Sequence, residues 1–356
     1  MKLKEFQKWL LENKIDLAAF FNLDGECIDP NIMYFSGYSG FGALVITPKK
    51  AVLIAHRAEH ERAKKTSRIR AIAAKGKLSE EIKKLVKKRR PRIGIDKNRM
   101  TVNFYKALKA ATKARFVDVS GQCLRLRAAK TEEEVMIIRK ACKITDEIIQ
   151  KTLRNFRQFK TESEVSAFLI NETNKLGLTT SFKPIVASGG NASRAHHEVE
   201  NKPLKKGFCV IDFGIRYKGY CSDISRTIYL GKPSPREIAL YQEVLDVQTK
   251  LIAQCRMGKS FIQIHQNAIK LFGNHAKYFT HLIGHGVGTE IHENPNPKKT
   301  QRRPVTNLLE NSVITIEPGL YFSGKLGIRI EDDVLITKKG PEVLTKTGKN
   351  LLVIRR

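Results

Sequence analysis

The segment Phe208-Cys-Val-Ile-Asp212-Phe-Gly-Ile-Arg-Tyr-Lys-Gly-Tyr-Cys-Ser-Asp223-Ile-Ser-Arg-Thr-Ile-Tyr-Leu230 sets two carboxylates inside β-branched, aromatic-rich runs, a placement that a folded core tolerates only with partners for the charges. A turn at Arg216 to Gly219 makes the segment read as a hairpin. With Ile215 paired to Tyr220, Asp212 falls directly opposite Asp223, where cross-strand side chains come within roughly 5 Å. Two facing carboxylates repel unless a cation joins them.

Three more residues belong with this pair. Glu317 ends the apolar run Ser312-Val-Ile-Thr-Ile-Glu317-Pro-Gly, and Glu331 ends Gly327-Ile-Arg-Ile-Glu331-Asp-Asp-Val-Leu-Ile, so both acids come from strand-like segments bounded by turn residues. His285 sits in His281-Leu-Ile-Gly-His285-Gly-Val-Gly-Thr-Glu-Ile-His292-Glu-Asn-Pro295, where glycines on both sides permit a bend and the close approach of other atoms. The spacing of His281 and His285 would chelate a metal on a helix, but the glycines oppose a regular helix and no His-Glu-x-x-His sequence occurs. Any one of the acids alone would pass for a strand end or a paired structural carboxylate. Together Asp212, Asp223, His285, Glu317 and Glu331 offer four carboxylates and one imidazole, a site for two metals.

The order Asp-x(10)-Asp, glycine-flanked His, Ile-Glu-Pro-Gly and Arg-Ile-Glu-Asp resembles the pita-bread metallopeptidases, which include methionine aminopeptidase, prolidase, aminopeptidase P and creatinase. The preceding chain is similar to the amino-terminal domain of the prolidase, aminopeptidase P and creatinase branch. Its carriers are Asn31-Ile-Met-Tyr-Phe-Ser-Gly-Tyr-Ser-Gly40, the Ala-Leu-Val-Ile strand that follows, and Leu124-Arg-Leu-Arg-Ala-Ala-Lys-Thr-Glu-Glu-Glu-Val135. The resemblance covers nearly the whole chain. It implies an α/β amino-terminal domain at residues 1–125 and an α+β pita-bread catalytic domain at residues 126–356.

The same resemblance implies that Asp212 holds one metal, that Asp223 and Glu331 bridge both, and that His285 and Glu317 complete the other. Glu317 would also manage the proton of the attacking water, His292 would stabilise the tetrahedral intermediate, and His196 would contact the scissile amide or the leaving nitrogen. His281 would line the pocket for the residue after the cut. The family's Leu-Pro-His stretch reads Arg194-Ala195-His196-His197 here, and spacing from Ile185-Val-Ala-Ser-Gly189 favours His196 over His197. Arg329, two residues before Glu331 and so on the same strand face, either orients that carboxylate or meets substrate. Arg226 and Thr227 are expected to give structural support. The segment Ala55-His56-Arg57-Ala58-Glu59-His60 departs from the family pattern, and substrate contacts there are not carried over.

The implied activity is hydrolysis of the bond between an amino-terminal residue and proline, in dipeptides or longer peptides, by a homodimer. Two divalent ions would activate the water and polarise the carbonyl. Hard, carboxylate-rich ligation favours manganese, cobalt or iron, with zinc open on affinity grounds. Creatinase fits less well, because creatine hydrolysis in that branch proceeds without the five metal ligands retained here.

A length of 356 residues and a hydrophobic fraction of 41% suit two buried cores. No apolar run reaches the roughly 18 to 20 residues of a membrane span, and Met1-Lys-Leu-Lys-Glu-Phe-Gln-Lys-Trp begins an amphipathic helix, so a cytoplasmic address is expected. Cys27, Cys123, Cys142, Cys209, Cys221 and Cys255 form no Cys-x-x-Cys pair and read as reduced, packed thiols. An extended Arg-rich connector near residues 125 to 131 should give way to a capping box, Thr131 to Glu134, opening a long helix. Helices are also expected near residues 58–66, 79–90 and 102–113, after a second capping box at Thr161 to Glu164, and from Ser234-Pro-Arg-Glu237.

A formal net charge of +30, with the run Lys83-Lys-Leu-Val-Lys-Lys-Arg-Arg-Pro-Arg92, supplies the competing reading of a nucleic-acid or ribosome-associated protein on a peptidase scaffold. The chain has no dedicated nucleic-acid motif, and a binding-only protein would not need all five ligands. Incidental contact with RNA or other polyanions is the milder expectation.

Overall fold

The computed structural model describes residues 2–23, 29–298, 300 and 305–355; Cys27 lies outside the described residues. The chain divides into two compact units, Met1–Arg127 and Ala128–Arg356.

The first unit is a three-layer α/β fold. Its six-stranded mixed sheet runs in the order Ala71–Ala73, Ala51–Ala55, Gly42–Ile46, Leu17–Asn22, Arg92–Ile95, Arg115–Asp118. The alternation of strand side chains divides the core in two. Ala18, Phe20, Leu44, Ile46 and Leu53 pack with Phe6, Leu10, Phe35 and Leu126 on one face, while Leu17, Ala19, Val45, Ile54 and Ile93 pack with Ile82 and Leu108 on the other.

The Arg-rich stretch is not extended but ends a helix, Ser120–Ala128. Its alternating Leu and Arg mimic a strand pattern, yet all are good helix formers. Cys123 and Leu126, three apart, bury one helical face, and Arg127 Nη1 donates to Asn31 Oδ1 at 2.9 Å. The helix expected over 79–90 is Leu78–Lys84, ending before the exposed cations 87–90 and Pro91. These cations enter the sheet beside others. Arg92 exchanges hydrogen bonds with Asp16, and Arg115 N–H donates to Pro91 O, so Lys14, Lys87–Arg92, Lys113 and Arg115 gather at one end of three adjacent strands.

In the second unit two helix pairs back two groups of strands. Glu132–Arg154 and Glu162–Lys175 cover Ile185–Ser188, Gly207–Phe213 and Ile224–Leu230. Pro235–Gln254 and Phe261–Phe272 cover Val313–Ile316, Gly319–Phe322, Leu326–Arg329 and Asp332–Thr337. The Thr131 and Ser234 capping boxes both form. The Thr161 box forms by half: Thr161 accepts from Glu164 N–H, but Glu164 Oε2 takes the Lys160 N–H at 2.6 Å. Cys123, Cys142, Cys209, Cys221 and Cys255 are buried and not disulfide-bonded. Among the described residues no helix is long and apolar enough to cross a membrane.

Candidate metal centre

The hairpin forms, with a register that corrects the expected one. Tyr217 pairs with Tyr220 and Asp212 with Ser225, leaving Lys218 and Gly219 as a two-residue turn with φ of 47° and 84°. Such left-handed pairs follow the twist of the flanking strands better than the longer turn at Arg216 to Gly219. The pairing thereby moves by two residues, and because strand side chains alternate with period two, Asp223 keeps the face of Asp212. Both line one cavity.

His285 arrives alongside the Val313–Ile316 strand. Thr315 N–H donates to His285 O at 2.8 Å, His285 N–H donates to Thr315 Oγ1 at 3.0 Å, and Glu317 N–H donates to Ile283 O at 2.9 Å. The flanking glycines are what let the segment in: a Cβ at Gly284 would stand 2.0 Å from Thr315 O, and one at Gly286 would stand 2.3 Å from Asn294 O. Glu331 is tied to the hairpin by its N–H on Ser225 O at 3.1 Å. His285 Nδ1–H faces Gly286 O at 3.1 Å, which leaves Nε2 pointing at Asp223 Oδ2 and Glu317 Oε1, each 3.6 Å away. Ligand atoms of Asp223, His285 and Glu331 lie within 4.8 Å of one another.

The electrostatics of this cluster call for positive charge. Asp223 and Glu331 are held well above the ordinary carboxylate range, first by burial and then by the other acids around them. Glu317 is pushed up to about 8, again mainly by burial, against the pull of Arg329. Asp212 Oδ1 and Asp223 Oδ1 are buried without hydrogen-bond partners. Buried carboxylate oxygens left this way fit a hard cation as the missing partner, so the donor set suits divalent metal ions.

Arg329 is the organising cation. Its Nη2 donates to Asp212 Oδ2 at 2.7 Å, its Nη1 to Tyr321 Oη at 2.9 Å and Ala195 O at 3.1 Å, and its Nε to Ser225 Oγ at 2.8 Å. Ser225 in turn donates to Glu331 Oε2 at 2.6 Å, so Arg329 reaches Glu331 through a hydroxyl. Tyr321 O–H donates to His281 Nε2 at 2.9 Å while His281 Nδ1–H donates to Leu282 O at 2.8 Å. That pattern requires a neutral ring, and burial, with Arg329 nearby, pushes His281 down to about 3. Arg226 Nη2 pairs with Asp332 Oδ1 at 2.7 Å and Thr227 Oγ1 donates to Arg329 O at 2.8 Å, bracing the strands behind the site.

The cavity has a volume of about 550 Å³, and its wall includes all five candidate ligands together with His196, His281, His292 and Arg329. The ring of His292 stands edge-on to His285 at 4.2 Å. The adjacent histidines part company: His196 is exposed to the cavity, whereas His197 is buried with Nε2 on Glu162 Oε2 at 2.7 Å. Glu162 Oε1 also accepts from Ser188 and Asn191, pinning the loop that carries His196.

Sequence reasoning passed over Ser225, Tyr321, Glu162 and Asp333. Asp333 Oδ2 accepts the Asp223 N–H at 2.8 Å and the Cys142 Sγ–H at 3.3 Å from beneath the site. Only Asp333 carried a signal, as the second acid after Glu331; the other three are common residues whose partners lie far away in the chain.

The profile of metallopeptidase family M24 matches residues 136–338, and that of the creatinase/prolidase N-terminal domain matches residues 2–129. An Xaa-Pro dipeptidase of Pyrococcus horikoshii is 34% identical over 99% of this chain and 98% of its own. The crystal structure of the prolidase from that organism superposes with a TM-score of 0.89 at 33% identity, covering 99% of each chain. An X-Pro aminopeptidase from Thermotoga maritima superposes with a TM-score of 0.88 at 29% identity, over 98% of this chain and 100% of that one.

Proposed function

Because the chain belongs to metallopeptidase family M24 and carries a creatinase/prolidase amino-terminal domain, we propose that it hydrolyses the peptide bond between an amino-terminal residue and proline with the help of divalent metal ions. The observation that carries this reading is the convergence of Asp212, Asp223, His285, Glu317 and Glu331 on one cavity, with Asp212 Oδ1 and Asp223 Oδ1 left for a cation.

In this proposal Asp212, Asp223, His285, Glu317 and Glu331 would hold two divalent ions, with manganese, cobalt or iron preferred to zinc. When bound, such ions lower the pKa of an attacking water and polarise the scissile carbonyl. Glu317 takes the proton of that water and returns it towards the leaving nitrogen, and His292 donates to the oxyanion. His196 contacts the scissile amide. Neutral His281 lines the pocket for the residue after the cut without adding charge. Arg329 holds Asp212 and, through Ser225, Glu331 in place, and it fronts the substrate as part of the wall.

We further propose a homodimer, on the family likeness, and a cytoplasmic setting, which the five buried cysteines without disulfide bonds support. Incidental polyanion contact through the basic end of the sheet rests on the charge gathered there. The relatives above bear peptidase names, and none of these points to a binding-only role.

The test is release of free amino acid from Ala-Pro and from a longer Ala-Pro peptide by metal-stripped protein reloaded separately with manganese, cobalt, iron and zinc. Metal-dependent cleavage is expected, and the two substrates separate a dipeptidase from an aminopeptidase. No cleavage with any metal would overturn the reading.

A further inference from the structure

Among the described residues, three side chains that line the cavity carry a buried polar atom without a hydrogen-bond partner: Asp212 Oδ1, Asp223 Oδ1 and Asn296 Nδ2. The first two are acceptors, and a cation satisfies both. The third is an amide donor with no lone pair to offer a metal.

Asn296 is wholly buried, and its amide orientation is fixed from the other side. Oδ1 accepts the Lys298 N–H at 3.0 Å, so Nδ2 is necessarily the atom left over. The backbone around it is held as well: Asn296 N–H donates to Val305 O at 2.9 Å, and Val305 N–H donates to Asn294 Oδ1 at 3.2 Å. The side chain therefore cannot turn to find another partner without breaking the bond that orients it. A held, buried donor on a residue of the cavity wall lacks a hydrogen bond that an acceptor entering with a ligand supplies.

We infer that Asn296 is a substrate-binding residue whose Nδ2–H donates to an oxygen of the bound peptide. This rests on the peptidase reading above and adds a recognition contact to it. The acceptor is a main-chain carbonyl or the terminal carboxylate, which share the same hydrogen-bonding chemistry. Either oxygen accepts from a neutral amide donor. Arg329, the one arginine or lysine among the described lining residues, already has Nε, Nη1 and Nη2 engaged by Ser225, Tyr321, Ala195 and Asp212.

Asn296→Asp tests this cleanly, because the carboxylate keeps an oxygen for Lys298 N–H and exchanges only the donor for an acceptor. Asn296→Ala removes the donor without adding a charge. Both variants, checked for wild-type metal content and thermal midpoint, are assayed on Ala-Pro, Ala-Pro amide and Ala-Pro-Ala beside the wild type. The expected result is a KM raised about tenfold or more in Asn296→Asp, less in Asn296→Ala, with kcat nearly unchanged. A rise confined to Ala-Pro assigns the contact to the carboxylate of the dipeptide, and a rise on all three assigns it to a main-chain carbonyl. A metal-loaded, folded pair of variants whose KM values stay within about twofold of wild type on every peptide overturns the inference. If the wild type itself cleaves none of the three, the peptidase reading falls, and this inference with it.

Discussion

Three demands meet at Asp223: its N–H is taken by Asp333, its Oδ2 faces His285 and its Oδ1 has no partner. Asp223→Ala is expected to abolish metal loading and hydrolysis while leaving an ordered protein, read by metal analysis and circular dichroism; retained turnover would remove Asp223 from the ligand set. The neighbouring acids give a pH dependence of known sign. Glu317 has its folded pKa raised from the ordinary 4.5 to about 8, so the folded state binds the extra proton. The stability it contributes is fully present below about pH 4.5 and is lost as pH rises through about 8; Asp223 and Glu331 act in the same direction. Metal-stripped protein should therefore melt at progressively lower temperature as pH rises across that window. Added manganese should abolish the trend, and a chelated protein whose midpoint rises with pH there would contradict it.

Between residue and fold, the close packing around His285 makes a separate demand. Gly286→Ala would push a methyl group into Asn294 O, and overpacking of this kind costs about 1–3 kcal/mol. The expected outcome is a lowered thermal midpoint together with lost metal occupancy, since the displaced segment carries His285. This is also the level at which the sequence was most and least readable. Asp212, Asp223, Glu317 and Glu331 stood out because acids inside β-branched runs violate the usual pattern, and the Thr131 and Ser234 boxes are purely local signals. The hairpin register was not local in the same way. Whether Lys218-Gly219 or Arg216 to Gly219 makes the turn depends on backbone angles that several sequences permit. Ser225 and Glu162 were hidden for another reason: a serine beside an aspartate, or a glutamate opening a helix, has an ordinary explanation until Arg329 or His197 folds against it.

For the molecule as a whole, the formal charge of +30 is distributed by topology as well as by composition, since three strand entrances bring Lys14, Lys87–Arg92, Lys113 and Arg115 together. Reversing Lys87, Arg89 and Arg90 to Glu should weaken retention on heparin or RNA and flatten its salt dependence, with Ala-Pro turnover unchanged. Unaltered retention would mean that the charge at this end of the sheet makes no polyanion contact. The packed thiols have a consequence of a different kind. Cys123 lies in the core of the first unit, and Cys142, Cys209, Cys221 and Cys255 lie in the second. Burial also raises the pKa of Cys123 and Cys142 well above that of a free thiol. Alkylation of each sulfur must wait for its surroundings to open, so the rate at which a given cysteine is labelled is a clock for the breathing of its own unit. Run with and without metal, those clocks would tell how far the ions quiet the catalytic half of the chain.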